Sequence, residues 1–188
     1  MRNCLVAGIT HSGKTIFSKR LVEGYGYSRI PGDALVLAFH ESFPELGIGH
    51  DRELYEPACQ QFGRFLGRLM NALAWESAMP YVLDTFHVWP ADLQDLDAAR
   101  SAVLFFGYPE ADPGEKTSHA RRYCRGNTGW IAGSEEEVRA RFHLFVQMSR
   151  DLREECLKHG FRFVDTSHAF SDALSEAVRL TVEQGSEA

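Results

Sequence analysis

The chain has 188 residues, 44% hydrophobic and 24% charged, with a net charge of −6. This length and balance describe one ordinary globular domain, or one core domain with a mobile subregion. An acid excess without a basic block argues against a broad nucleic-acid surface, and no apolar run approaches the ~20 residues that span a bilayer.

Met1-Arg2-Asn3-Cys4 leads straight into an apolar run, which leaves no room for a signal peptide. Cys4, Cys59, Cys124 and Cys156 are scattered, with no C-x-x-C pair, and read as thiols of a cytoplasmic protein. Asn3 to Ala7 reads as a buried strand. It is followed by Gly8-Ile9-Thr10-His11-Ser12-Gly13-Lys14-Thr15, which matches G-x-x-x-x-G-K-[ST] at every fixed position. Ile16, Phe17, Leu21 and Val22 then recur at roughly helical spacing.

Strand, glycine loop and helix together place a phosphate-binding loop here. Gly8 and Gly13 let the backbone curl so that successive N–H groups face an anion, and the following helix adds its positive end. Lys14 is suited to β- and γ-phosphates, and the Thr15 hydroxyl to a Mg²⁺ ion. A bound nucleoside triphosphate is the expectation, with ATP and Mg²⁺ as cofactors. No metal-ligand spacing of His or Cys is present, so zinc is not indicated.

Further along, Ser28 to Ile30 is a second strand, ended by Pro31-Gly32-Asp33. Asp33 falls beside the expected phosphate site, where a carboxylate takes the proton of an attacking hydroxyl or binds the acceptor; a simple turn is the alternative. Ala34 to His40 begins a helix, and Glu41 to Asp51 is loop-like. Between Tyr55 and Ser77 the apolar residues Phe62, Leu66, Leu69, Met70 and Leu73 share one helical face. On its polar edge Arg64 and Arg68 either clamp an anion or form a solvated face, and Arg52 is equally open.

Met79 to Phe86 is a third strand carrying Asp84 near its C-terminal end, the place of a Mg²⁺-organising acid in this type of fold. Pro90 introduces a short helix over Ala91 to Arg100. Ala102 to Phe106 is a fourth strand. Glu110 to Gly133 reads as a long polar loop carrying Lys116, Arg121, Arg122 and Arg125. Cations on such a lid stabilise a phosphoryl group in transfer and help exclude water, unless they serve solubility alone. Ser134 and Glu137 form a capping box for a helix that runs to His159, with Gly160 as its stop. Phe161 to Asp165 is a fifth strand, Asp165-Thr166-Ser167 a candidate base-pocket wall or turn, and Phe170 to Glu183 the last helix. His11 and His87 carry little signal alone. Strands alternating with helices predict an α/β fold with a mostly parallel sheet and a ligand at the carboxyl ends of its strands.

With these parts in order, the chain resembles the small P-loop kinases, the nucleoside/nucleotide-kinase-like group that includes adenylate, shikimate and gluconate kinases. The resemblance implies a three-layer α/β/α fold with a five-stranded parallel sheet in the order 2-3-1-4-5. It also implies ATP on Gly8–Thr15, an acceptor-binding helical region over about 33–77 and a lid over about 110–133, within a single domain spanning 1–188. Gly129-Trp130, Met148-Ser149, Glu155-Cys156 and Phe163 to Ser167 are similar to a bacterial group of such proteins that brings no assigned substrate. The chain departs from its namesakes in lacking a Gly-Gly pair after Asp84 and a recognisable adenylate-kinase lid, so neither substrate is carried over. It also lacks an Asn-Lys-x-Asp guanine motif. The leading expectation is a kinase for a small-molecule hydroxyl or phosphate. A nucleotide-dependent switch for a protein partner and a kinase of nucleic-acid ends are the alternatives, and the sequence leaves the oligomeric state open.

Overall fold

The computed structural model describes residues 2–49, 57–76, 78–123 and 131–183. Five strands run parallel in the order β2-β3-β1-β4-β5, with β1 at Asn3–Gly8, β2 at Ser28–Pro31, β3 at Tyr81–Asp84, β4 at Ser101–Gly107 and β5 at Arg162–Asp165. Six α-helices accompany them: α1 Lys14–Tyr25, α2 Gly32–Ser42, α3 Pro57–Glu76, α4 Pro113–Tyr123, α5 Glu135–His159 and α6 Phe170–Glu183.

The strand sequences explain the layering. Along β1 and β4 both alternating sets are apolar, as a parallel sheet covered on both faces requires. Leu5, Ala7, Leu83 and Phe105 point to one side, against Phe62, Leu66 and Met70 of α3 and Phe142, Phe145 and Leu152 of α5. Cys4, Val6, Leu104 and Phe106 point to the other, against Phe17 and Leu21 of α1 and Leu174 and Val178 of α6. The result is the expected three-layer α/β/α sandwich.

Helix ends follow the local chemistry. The Ser134 hydroxyl accepts from Glu137 N at 3.2 Å while the Glu137 carboxylate accepts from Ser134 N at 2.7 Å, the reciprocal cap predicted for α5. Gly160, at φ 72°, ends the same helix and donates its N–H to Cys156 O.

Two expectations change. The helix expected over Ala91–Arg100 shrinks to a 3₁₀ turn at Pro90–Leu93, and beyond it Asn71 of α3 takes backbone groups that a helix would pair internally, accepting from Asp97 N at 2.9 Å and donating to Asp95 O at 2.7 Å. Within the polar stretch expected as a loop over Glu110–Gly133, Pro113–Tyr123 is helical. That helix buries only Thr117 and Ala120, too little to leave an apolar stripe in the sequence. Asp112 starts it by accepting Glu115 N at 2.8 Å. Cys124, Arg125, Gly129 and Trp130 lie outside the described residues, as does Arg52.

Close backbone approach brings the strand ends together. A Cβ on Gly8, whose φ is 122°, would stand 2.1 Å from Phe106 O. One on Gly32 would stand 2.6 Å from the Thr85 Cβ, so only glycine lets α2 start against the end of β3 and deliver Asp33 there. Gly8→Ala should therefore lower the free energy of unfolding by roughly 3 kcal/mol or more, from steric conflict combined with an unfavourable φ. Chemical denaturation checks this, and an unchanged midpoint would refute the packing argument.

Candidate functional site

The loop leaving β1 takes left-handed backbone angles at Gly8 (122°), His11 (62°) and Gly13 (100°). Such alternation turns N–H groups towards a common centre and makes a nest for an anion. Neighbouring strands hold it in that shape. Ile9 N donates to Phe106 O at 2.9 Å, the Tyr108 hydroxyl donates to Thr10 O at 2.8 Å, and the Thr166 hydroxyl donates to Ser12 O at 3.1 Å. Helix α1 begins at once, with no capping side chain and no acid in its first turn. The orphan N–H groups of its start and its dipole thus stay available to an anionic ligand.

Lys14 opens α1 and is only 8% exposed. Its ammonium donates to Ile9 O at 2.7 Å. Burial pulls its pKa down to about 8, against a smaller opposing pull from Asp84 and Asp33. Asp84 ends β3 beside it, and one of its oxygens, Oδ2, accepts from Arg29 Nη2 at 2.6 Å and Nε at 3.0 Å. Arg29 is a residue that sequence reasoning missed, because its partner lies 55 positions away and only the β2–β3 pairing joins them.

Above these groups lies a cavity of about 800 Å³. Thr10 to Thr15 form one wall, Asp33, Asp84 and His87 another, and α4 a third through Glu115, Lys116, His119 and Tyr123. Gly8 and Ile9 lie beneath the loop, Gly8 packed on β4 and Ile9 1% exposed. The structure thus brings Gly13, Lys14, Thr15, Asp33 and Asp84 to one cavity.

The cations of the stretch expected as a lid divide differently. Lys116 lines the cavity, with Nζ 4.0 Å from the centre of the Tyr108 ring. Burial pulls its pKa down to about 8, opposed by Asp165. Arg121 and Arg122 are exposed and do not line the cavity; Arg121 donates to Gly133 O at 2.8 Å and Arg122 lies over the Tyr123 ring. The His11 side chain, between the two lysines, is pushed down to about 4 by burial first and then by Lys14 and Lys116, so it is neutral at pH 7. Thr166 and Ser167 reach the cavity, whereas Arg64 and Arg68 do not.

The groups suit a magnesium–triphosphate ligand. The nest, the uncapped helix start, the buried Lys14 ammonium and the partly buried Lys116 ammonium match its anion. Among the described residues no set of three His, Cys, Asp or Glu side chains gathers as an all-protein cage. Mg²⁺ on a nucleotide does not need one, since phosphate oxygens and water complete its shell.

No family model matches the chain, and no curated protein matches it. Solved structures do. The chain is similar to shikimate kinase from Bacteroides thetaiotaomicron, with a TM-score of 0.60 over 95% of this chain and 97% of that one at 12% identity. It is similar to a sugar kinase from Janibacter sp., at a TM-score of 0.60, 97% and 95% coverage and 14% identity. It is also similar to the YorR protein of Bacillus subtilis in complex with phosphorylated GDP, at a TM-score of 0.55, 99% coverage of both chains and 16% identity. At such identities the likeness is one of fold. The fold is that of the small P-loop kinases, with the strand order 2-3-1-4-5.

The buried Lys14 sets a pH dependence of known sign. Its folded pKa, about 8, lies below its ordinary 10.5, so between these values the unfolded chain binds more protons and stability rises with pH. Below pH 8 the folded protein carries the full cost of the buried charge, about 3 kcal/mol at most before its hydrogen bond is counted. Lys14→Met should raise the unfolding free energy of the ligand-free protein at pH 7 by roughly 1–2 kcal/mol. It should also reduce the rise in Tm between pH 8 and 10 relative to wild type. Equal pH slopes for the two proteins would show that Lys14 is not desolvated.

Proposed function

We propose that the protein is a small-molecule kinase that uses Mg²⁺-ATP and transfers the γ-phosphate to a hydroxyl or phosphate of a small metabolite. The observation that carries this reading is the single cavity shared by the phosphate-type loop, Lys14, Asp33, Asp84 and Lys116. Its volume of about 800 Å³ has room for more than a triphosphate chain.

In this reading the loop N–H groups and the start of α1 bind the phosphates, and Lys14 neutralises their charge. Thr15 and Asp84 would hold the metal, Asp84 through water because Arg29 already occupies its Oδ2. Bound Mg²⁺ would supply charge compensation for the phosphate oxygens. Asp33 takes up the proton of the attacking hydroxyl, and Lys116 supplies positive charge from the lid side, the part that Arg121 and Arg122 were suited to by sequence. Arg29 fixes the rotamer of Asp84, which acts through its partners. Catalysis here is positioning and preorganised electrostatics. The fold shared with shikimate and sugar kinases supports the reading.

Transfer from γ-labelled ATP with Mg²⁺ into pooled nucleosides, nucleotides, sugars and hydroxy acids tests it. Wild type should yield a labelled product, and Lys14→Ala should lose at least about a hundredfold in rate. Label appearing only as inorganic phosphate would favour a nucleotide-dependent switch instead. A second variant, Lys116→Met, should lower kcat/KM for ATP by about tenfold, one charge-assisted contact being lost. An unaffected Lys116→Met would remove the lid-side cation from the mechanism.

A further inference from the structure

The cavity's charges are unevenly shared. Its two lysines, Lys14 and Lys116, both stand at the phosphate loop, the first within it and the second beside Tyr108, whose hydroxyl bonds the loop. The acidic side chains lining it are four, Asp33, Asp84, Asp112 and Glu115. Arg29 offsets Asp84 from outside the cavity. No arginine among the described residues lines the cavity.

The cations available therefore serve the triphosphate, which adds negative charge of its own. The same cavity is lined by Asp33, Asp112, Glu115, His87 and His119, with the rings of Phe86 and Tyr123. An acceptor carrying a carboxylate or phosphate would enter against like charge and, among the described residues, meet no guanidinium or ammonium beyond the two lysines at the loop. Carboxylates accept hydrogen bonds from hydroxyl and ammonium groups, and aromatic faces attract cations.

We propose that the acceptor is a hydroxyl compound that is uncharged or bears an ammonium group, such as a neutral polyol, a nucleoside or an amino alcohol. This rests on the kinase reading above and narrows it. The acceptor oxygen forms a bond to the γ-phosphorus, and the bond from that phosphorus to the bridging oxygen breaks with its electron pair. ADP leaves, and the hydroxyl proton passes to the Asp33 carboxylate and then to water.

The experiment supplies the full chain with Mg²⁺ and γ-labelled ATP in four separate arms. These hold neutral polyols and nucleosides, amino alcohols and amino sugars, hydroxy acids, and nucleoside or sugar monophosphates. Label should enter the first or second arm with a kcat/KM at least tenfold above the other two. Preferred transfer into hydroxy acids or monophosphates would overturn the inference and leave the kinase reading intact. Release of label as phosphate alone, in every arm, would overturn both. Glu115→Lys provides an independent reading, since Glu115 is exposed on α4 and its replacement spares the core. It should shift the ratio of kcat/KM for a hydroxy acid over a neutral acceptor by at least tenfold, and an unchanged ratio would count against an electrostatic selection of the acceptor.

Discussion

A charged amine that is almost completely withdrawn from water is the constraint around which the rest is arranged. Among the described residues Lys14 has the Ile9 carbonyl as its direct partner and two carboxylates nearby, so its burial is costly in the absence of a ligand. Stability for that arrangement comes from elsewhere, chiefly the two apolar layers on either side of the sheet. An anion arriving at the loop recovers the solvation that folding removed. The site is thus preorganised in the physical sense: its polar groups are already desolvated and already aimed.

The loop cannot hold that geometry alone. Its left-handed angles at Gly8, His11 and Gly13 are sparsely populated for a free chain, and His11 has a Cβ to accommodate. Bonds from Tyr108 and Thr166, reaching across from the ends of β4 and β5, stabilise them. The same tyrosine supports Lys116 on its ring face, so one buried side chain serves both the loop and α4. Phe170 closes the other side, its ring lying where a Gly13 side chain would be.

Much of this was legible in the chain because it is local. The spacing Gly8, Gly13, Lys14, Thr15 announces the loop within eight residues, even though distant bonds hold its shape, and the apolar runs ending near Asp84 and Asp165 are strands. The capping box at Ser134 and Glu137 is a four-residue signal and appears as expected. What escaped is what depends on tertiary contact. The Arg29–Asp84 pair needs β2 beside β3. Helix α4 has too few buried residues to show a period, so its inward residue, Lys116, could not be told from the outward Arg121 and Arg122. The short 3₁₀ turn at Pro90 is followed by backbone that bonds Asn71, 24 and 26 positions away on α3.

The Arg29–Asp84 pair has a consequence for the sheet margin. β2 is an edge strand of four residues with only β3 to pair with, and its burial is shallow. Ladder bonds over so short a length hold an edge weakly. The guanidinium reaching from Arg29 to the end of β3 adds a side-chain latch that spans two ladder rungs. A sheet margin fastened in this way answers to whatever competes for the Asp84 carboxylate. Hydrogen exchange at the Ser28, Arg29 and Ile30 amides is accordingly a remote gauge of occupancy at the far end of the neighbouring strand.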